Sequence, residues 1–141
     1  MDELPLGKEP DKLASYAVQS EYDIVKARQI ARQLSKQFHM GIVDQTRLTT
    51  AVSELCRNMF EFAGGGDIVF ETGEFEGHEA LMISCIDHGP GIADLELAMK
   101  DGYTSGKGMG FGLPGAKRLV DNFHIESEPG KGTLVRITKW I

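Results

Sequence analysis

Four groups of residues have types and spacings that could do chemistry. Glu54 and Asn58 are four apart, so on a helix they share one line of its surface and set a carboxylate beside an amide oxygen. The carboxylate can accept a proton. The amide oxygen is a weak donor suited to Mg²⁺, an ion that keeps several waters and leans on phosphate oxygens for the rest. Asp87-His88-Gly89-Pro90-Gly91 directly follows an alternating apolar stretch. That alternation puts Asp87 on the face of Leu81, Ile83 and Cys85, so its carboxylate turns inward and needs a donor. The exocyclic amine of adenine is such a donor, and Gly89 and Gly91 let the backbone approach a flat base closely. Gly106, Gly108, Gly110 and Gly112 alternate with Lys107, Met109 and Phe111, and lead through Leu113 into a helix. Freed backbone N–H groups and the positive end of a helix cradle phosphate oxygens, so a triphosphate fits there. Finally, Gly130-Lys131-Gly132-Thr133 opens the last strand. Thr133 shares a face with Val135 and Ile137, which points its hydroxyl toward Asp87 or a water beside it.

Each group also has an ordinary reading: a solvated Glu–Asn pair, an Asp-Gly turn, a glycine linker and a hairpin turn. The linker reading is the weakest of these, because linkers mix Ser with Gly and rarely run straight into an amphipathic helix. It is not a Walker loop, since no G-x-x-x-x-G-K-[ST] is present, and it lacks the preceding strand of a dinucleotide fingerprint. Lys107 is either a cation near the γ-phosphate or a solvated loop lysine. Read together, the groups supply what Mg·ATP requires: a base contact, a phosphate cover, a metal ligand and a proton acceptor.

The elements that must position them follow from periodicity. Residues 1–12, with Pro5 and Pro10, read as a flexible lead-in, and 13–141 as one domain. Leu13 to Ser20 suits a strand. Asp23 can cap a helix with apolar Ile24, Ala27, Ala31, Leu34 and Phe38, ended by Gly41. After Asp44 a second helix carries Leu48, Val52, Leu55, Met59 and Phe62 until Gly64, Gly65 and Gly66 stop it. Ile68–Thr72 and Leu81–Asp87 read as a hairpin joined by 73–79, and His88 to Gly112 as a long functional loop with a short helix from Asp94 to Asp101. A third helix from Leu113 to Asp121 tolerates Pro114 in its first turn. Phe123–Glu128 and Thr133–Lys139 close the chain as a second hairpin turning at Pro129 and Gly130. Helices gathered on one face of a mixed, mostly antiparallel sheet make a two-layer α/β sandwich.

Composition narrows the partners. A net charge of −6, from 21 acidic and 15 basic residues, lacks the basic surplus that neutralising duplex phosphates requires, so nucleic acid is not expected. No stretch approaches the roughly 18 apolar residues of a membrane span. Cys56 and Cys85 fall in apolar patterns without metal-ligand spacing and read as reduced core residues, which implies a cytoplasmic setting.

The order E-x-x-x-N on a helix, D-x-G-x-G after a strand, G-x-G-x-G-x-G before a helix and G-x-G-T before a strand resembles the N, G1, G2 and G3 boxes of the GHKL superfamily. That superfamily holds the ATPases and kinases that include gyrase B, the heat-shock chaperones and the histidine kinases. The resemblance runs from about Ser15 to Ile141, and implies the Bergerat fold. Val43-Asp44-Gln45-Thr46-Arg47, Ala63-Gly64-Gly65-Gly66 and Gly112-Leu113-Pro114-Gly115-Ala116-Lys117-Arg118-Leu119 are most similar to the small anti-sigma serine kinases of the RsbT stressosome type.

By that resemblance Glu54 is the general base, Asn58 the Mg²⁺ ligand, and Asp87, with Gly89 and Gly91, the adenine contact. Gly106, Lys107, Gly108, Gly110, Gly112 and Leu113 would cover the phosphates, and Thr133 would assist Asp87. ATP and Mg²⁺ are the implied cofactors. No histidine-bearing helix precedes the domain, so the phosphoacceptor is expected on another protein, a serine or threonine of a STAS-domain scaffold. The freed kinase is then expected to bind and activate a PP2C-type phosphatase. Two rivals share the four boxes: an anti-sigma factor of the RsbW or SpoIIAB type, and a non-catalytic module regulated by nucleotide.

Overall fold

The computed structural model describes residues 11–99 and 112–141. Strand β1 (Asp11–Val18) leads into helices α1 (Glu21–Gln37) and α2 (Ile42–Ala63). Strands β2 (Gly66–Phe75) and β3 (His78–Asp87), short helices α3 (Leu95–Ala98) and α4 (Gly112–Arg118), and strands β4 (Asn122–Glu128) and β5 (Gly132–Trp140) complete the order. The strands form one sheet in the order β1-β2-β3-β5-β4. Every pairing in it is antiparallel, so the parallel component of the expected mixed sheet is absent among the described residues.

Capping chemistry sets the helix bounds and moves three of them. Ser20, in extended conformation, caps α1 by accepting the Asp23 N–H at 3.2 Å, while Asp23 reaches back to the Gln19 N–H at 2.9 Å. Asp23 is thus the inner half of a reciprocal cap rather than the cap itself. The first helix stops at His39, which takes a left-handed φ of 63°, and Gly41 is the extended N-cap of α2, not the terminator of α1. Asp44 accordingly lies in the first turn of α2, where its charge favours the helix dipole. Gly64 ends α2 with φ 77°, donating its N–H to the Phe60 carbonyl. The β2–β3 hairpin is tighter than the polar stretch 73–79 suggests. Glu76 and Gly77 both have positive φ, the signature of a two-residue turn that matches strand twist.

The helices cover one sheet face. Ile24, Ala27 and Ala31 of α1 and Leu48, Val52, Leu55, Cys56 and Met59 of α2 pack on Ile68, Phe70, Leu81, Ile83, Cys85, Val135 and Ile137. Full burial of such a side chain contributes about 1.5–3 kcal/mol, so this interface dominates the fold. Phe62 departs from the expected stripe and stays 46% exposed. Lys139, 6% exposed, extends from β5 to Asp44 at 3.2 Å and Asp121 at 3.3 Å, tying the start of α2 to the turn before β4. Both cysteines are free and buried. Burial and the hydrogen bond to Cys56 push the Cys85 thiol well above its ordinary pKa, the hydrogen bond being the larger cause. Among the described residues no helix is long and apolar enough to cross a membrane.

Candidate nucleotide site

Helix α2 is the axis of the site. Glu54, half-buried midway along it, accepts the Gly112 N–H through Oε1 at 3.2 Å, so its carboxylate meets the start of α4. One turn later stands Asn58, also half-buried. At the far end, Ala63 abuts the loop that follows β3: a Cβ on Gly89 would lie 2.5 Å from the Ala63 Cβ. Nine residues separate Glu54 from Ala63. At about 1.5 Å rise per residue they are roughly 14 Å apart along the axis. Among the described residues, the Asp87 turn therefore lies at one end of α2 and the Glu54–Gly112 contact about midway along it.

The Asp87 end is built from strand termini. Asp87 is the last residue of β3, on the face of Leu81, Ile83 and Cys85 as alternation requires, and half-buried. Its Oδ1 accepts the Gly89 N–H at 2.9 Å, an Asx turn that fixes the carboxylate plane. One oxygen is thereby anchored while the carboxylate keeps acceptor capacity on the other. That arrangement fits a ligand bearing an amine, as adenine does. Thr133 pairs directly with Asp87 across β3 and β5. Its hydroxyl, however, bonds to Ser127 Oγ at 2.8 Å, so the partner expected from its inward direction is Ser127 and not the carboxylate.

Ser127 is the residue that reading motifs missed. Its Oγ accepts the Ile92 N–H at 2.7 Å, donates to the Gly132 carbonyl at 3.2 Å and pairs with Thr133. It thus joins the loop after Asp87 to the β4–β5 hairpin, alongside a second link from the Gly130 N–H to the Pro90 carbonyl at 2.7 Å. The signal was available: a turn at Pro129 and Gly130 that pairs Glu128 with Gly132 puts Ser127 opposite Thr133. Gly91, with φ 77°, lies so close to Glu128 that a Cβ would fall 2.2 Å from its carbonyl oxygen, so here glycine serves packing of loop on hairpin.

Gly112 lies at the first position of α4 with φ 52°, and Leu113 is buried, 4% exposed, within the core. A contact from Leu113 to phosphate would therefore come from its backbone. Gly106, Lys107, Gly108 and Gly110 lie outside the described residues. Among the described residues no three His, Cys, Asp or Glu side chains converge as a metal site. The amide oxygen of Asn58, one helical turn from the Glu54 carboxylate, is a hard donor that would suit Mg²⁺ if phosphate oxygens completed its shell.

An α/β sandwich with an antiparallel sheet, a helix-borne Glu and Asn, and an acid at the end of the central strand defines a class of nucleotide-binding domain. The sequence profile of the histidine kinase-, DNA gyrase B- and HSP90-like ATPases matches residues 43–140. The chain belongs to that family. The serine/threonine-protein kinase RsbT of Bacillus subtilis (strain 168) is 45% identical over 124 residues, covering 88% of this chain and 93% of its own. The anti-sigma F factor of Thermoanaerobacter sp. (strain X514) is 34% identical over 121 residues, covering 82% and 83%. The mycobacterial sensor histidine kinase MprB superposes with a TM-score of 0.55 at 17% identity, over 94% of this chain and 99% of that one, a likeness of fold.

Proposed function

We propose that this chain is a cytoplasmic serine/threonine protein kinase that transfers the γ-phosphoryl group of ATP to a STAS-domain protein. As a partner switch in stress or sigma-factor signalling, it then binds and activates a PP2C-type phosphatase. The observation that carries the reading is the alignment of Asp87, Asn58 and Glu54 along α2, with Glu54 bonded to the first residue of α4. The likeness to RsbT, a serine/threonine-protein kinase, supports the activity.

Each residue has a role its position allows. Asp87, held in plane by Gly89, accepts the adenine amine, with Thr133 and Ser127 fixing the wall beside it. Asn58 offers an oxygen to Mg²⁺, which when bound neutralises phosphate charge. Glu54 accepts the proton of the acceptor hydroxyl as that oxygen attacks phosphorus. The glycine segment ending at Gly112, with Lys107, covers the phosphates. Phosphoryl transfer asks for placement and charge neutralisation more than covalent chemistry, and these residues supply both.

The test separates binding from transfer. Asp87→Asn is expected to weaken nucleotide affinity by roughly 10- to 100-fold, the loss of a charge-assisted hydrogen bond of about 1.5–3 kcal/mol. Glu54→Gln is expected to keep affinity and lower transfer by roughly 10²- to 10⁴-fold. Calorimetry with Mg·ATP and radiolabelled transfer to a STAS-domain protein measure the two. Wild-type transfer by Glu54→Gln would remove the base from its role. A second reading, an anti-sigma factor that phosphorylates its own antagonist, is favoured by the 34% identity to the anti-sigma F factor. Pull-down of a sigma factor rather than a STAS-domain protein or phosphatase would select it.

A further inference from the structure

Helices α1 and α2 enclose a groove of about 670 Å³, lined by Arg28, Gln29, Arg32, Gln33 and Lys36 from α1 and by Thr46, Thr49 and Thr50 from α2. Among the described residues no carboxylate lines it, in a chain of net charge −6. Arg28, Arg32 and Lys36 recur every four residues, so their charges extend over two turns, about 12 Å along the helix axis. A row that long exceeds what one phosphate group can engage and matches several carboxylates in series. Arg32 is held in place by donating to Thr49 Oγ1 at 3.4 Å, whereas Arg28 and Lys36 are exposed.

The surroundings indicate a protein rather than a small anion. Tyr22 and Val25 continue the groove-lining line of α1 by steps of three and four, and are 75% and 40% exposed. Ile42 and Val43, 67% and 59% exposed, stand at the opposite end, on the first turn of α2. Exposed apolar side chains mark interaction surfaces, and aromatic residues and arginine are both enriched at protein interfaces. The groove also leads somewhere: Thr46, Thr50 and Glu54 follow one another at four-residue steps, so its α2 wall ends one helical turn from Glu54.

We infer that this groove docks an acidic segment of the phosphoacceptor protein and so delivers the acceptor hydroxyl toward Glu54. The inference rests on the kinase reading for the second half of that statement, while the docking stands on the groove alone. Carboxylates of the segment pair with Arg28, Arg32 and Lys36, its main chain meets the exposed hydroxyls of Thr46 and Thr50, and apolar residues at its ends cover Tyr22, Val25, Ile42 and Val43.

The test uses the full chain and a variant, Arg28→Glu with Lys36→Glu, which alters exposed positions and leaves the Arg32–Thr49 bond intact. A synthetic 12-residue peptide of Glu and Leu, titrated into ¹⁵N-labelled protein, is expected to shift amides within 28–36 and 46–50. Its affinity should fall at least tenfold in the variant, while Mg·ATP affinity is unchanged. With the phosphoacceptor protein, KM should rise at least tenfold at constant kcat. Absence of shifts, equal affinity in the variant, or the same shifts from inorganic phosphate alone would overturn the docking groove. Peptide binding that behaves as expected in a chain that transfers no phosphoryl group would leave the groove standing and remove the kinase reading instead.

Discussion

The two ends of the α2 site are held by different means. At the Asp87 end the backbone interlocks: Gly132 sits where a Cβ would be 2.1 Å from the Asp87 carbonyl oxygen, and Gly89 presses on Ala63. Two hydrogen bonds, from Ile92 to Ser127 and from Gly130 to Pro90, sew the loop to the hairpin. Toward the other end, Glu54 meets the start of α4, among the described residues, through a hydrogen bond of 3.2 Å to the Gly112 N–H. Main-chain packing is the stiffest way to fix a carboxylate, which is what the proposed base contact of Asp87 would need. The proposed transfer must admit phosphates and an acceptor hydroxyl, and a side-chain hydrogen bond of this kind can be exchanged for another.

The contrast breaks most severely at Gly132. Its φ of 114° and its contact with Asp87 leave no room for a methyl group, so Gly132→Ala is expected to cost at least about 3 kcal/mol and to abolish measurable nucleotide binding. Gly130→Ala is the matched control, since that position has φ 81° but nothing within 4 Å of the added carbon. It should cost about 1–2 kcal/mol and leave affinity intact. Denaturant titration and calorimetry distinguish the pair. Equal losses would mean that positive φ, and not the close approach to Asp87, governs the hairpin.

A smaller effect is expected at Ser127. Ser127→Ala orphans the Ile92 N–H and removes the partner of Thr133, at a cost of about 1–3 kcal/mol. Because the loop after Asp87 is also held by Gly130, affinity should fall several-fold rather than vanish. If Ser127→Ala unfolds the domain, the loop depends on that one hydroxyl and the end is not interlocked as described. If affinity is unaltered, the hydroxyl network has no part in fixing the base contact.

The sequence displayed this asymmetry only in part. Helices and strands were legible because Leu48, Val52, Leu55 and Met59, or Leu81, Ile83 and Cys85, repeat at the periods burial imposes. Boundaries were less so: Ser20 and Gly41 resemble many turn residues, and their capping role depends on which backbone N–H they meet. Phe62 fits the stripe by spacing but lies in the last turn of α2 and stays exposed. The positions of Glu54, Asn58 and Asp87 were legible because spacing alone puts them on one helix line or one strand face. Ser127 and the role of Gly132 were not, since each acts across strands, and cross-strand neighbours appear only once register is known. The groove between α1 and α2 was likewise invisible, for it joins residues from two helices.

The mildest prediction concerns the strut between the two ends. Cys85 precedes Asp87 by two residues and packs against Cys56, which lies between Glu54 and Asn58 on α2. The hydrogen bond to Cys56 and burial raise the Cys85 thiol, and burial, then the neighbouring Cys56 and Asp23, raise the Tyr16 phenol. In the unfolded chain these groups ionise near their ordinary values of 9.0 and 10.0, whereas in the folded chain they stay protonated there. Above pH 9 the folded state therefore binds more protons, and stability must fall as pH rises. Below pH 8 neither group contributes a slope, so folding at neutral pH is expected to be insensitive. Urea titrations from pH 7 to 11 should show a plateau and then a decline, and Cys85→Ala should delay its onset toward pH 10. A decline already present between pH 7 and 8, or an onset that Cys85→Ala does not move, would show that the core thiol is not the group that senses alkali.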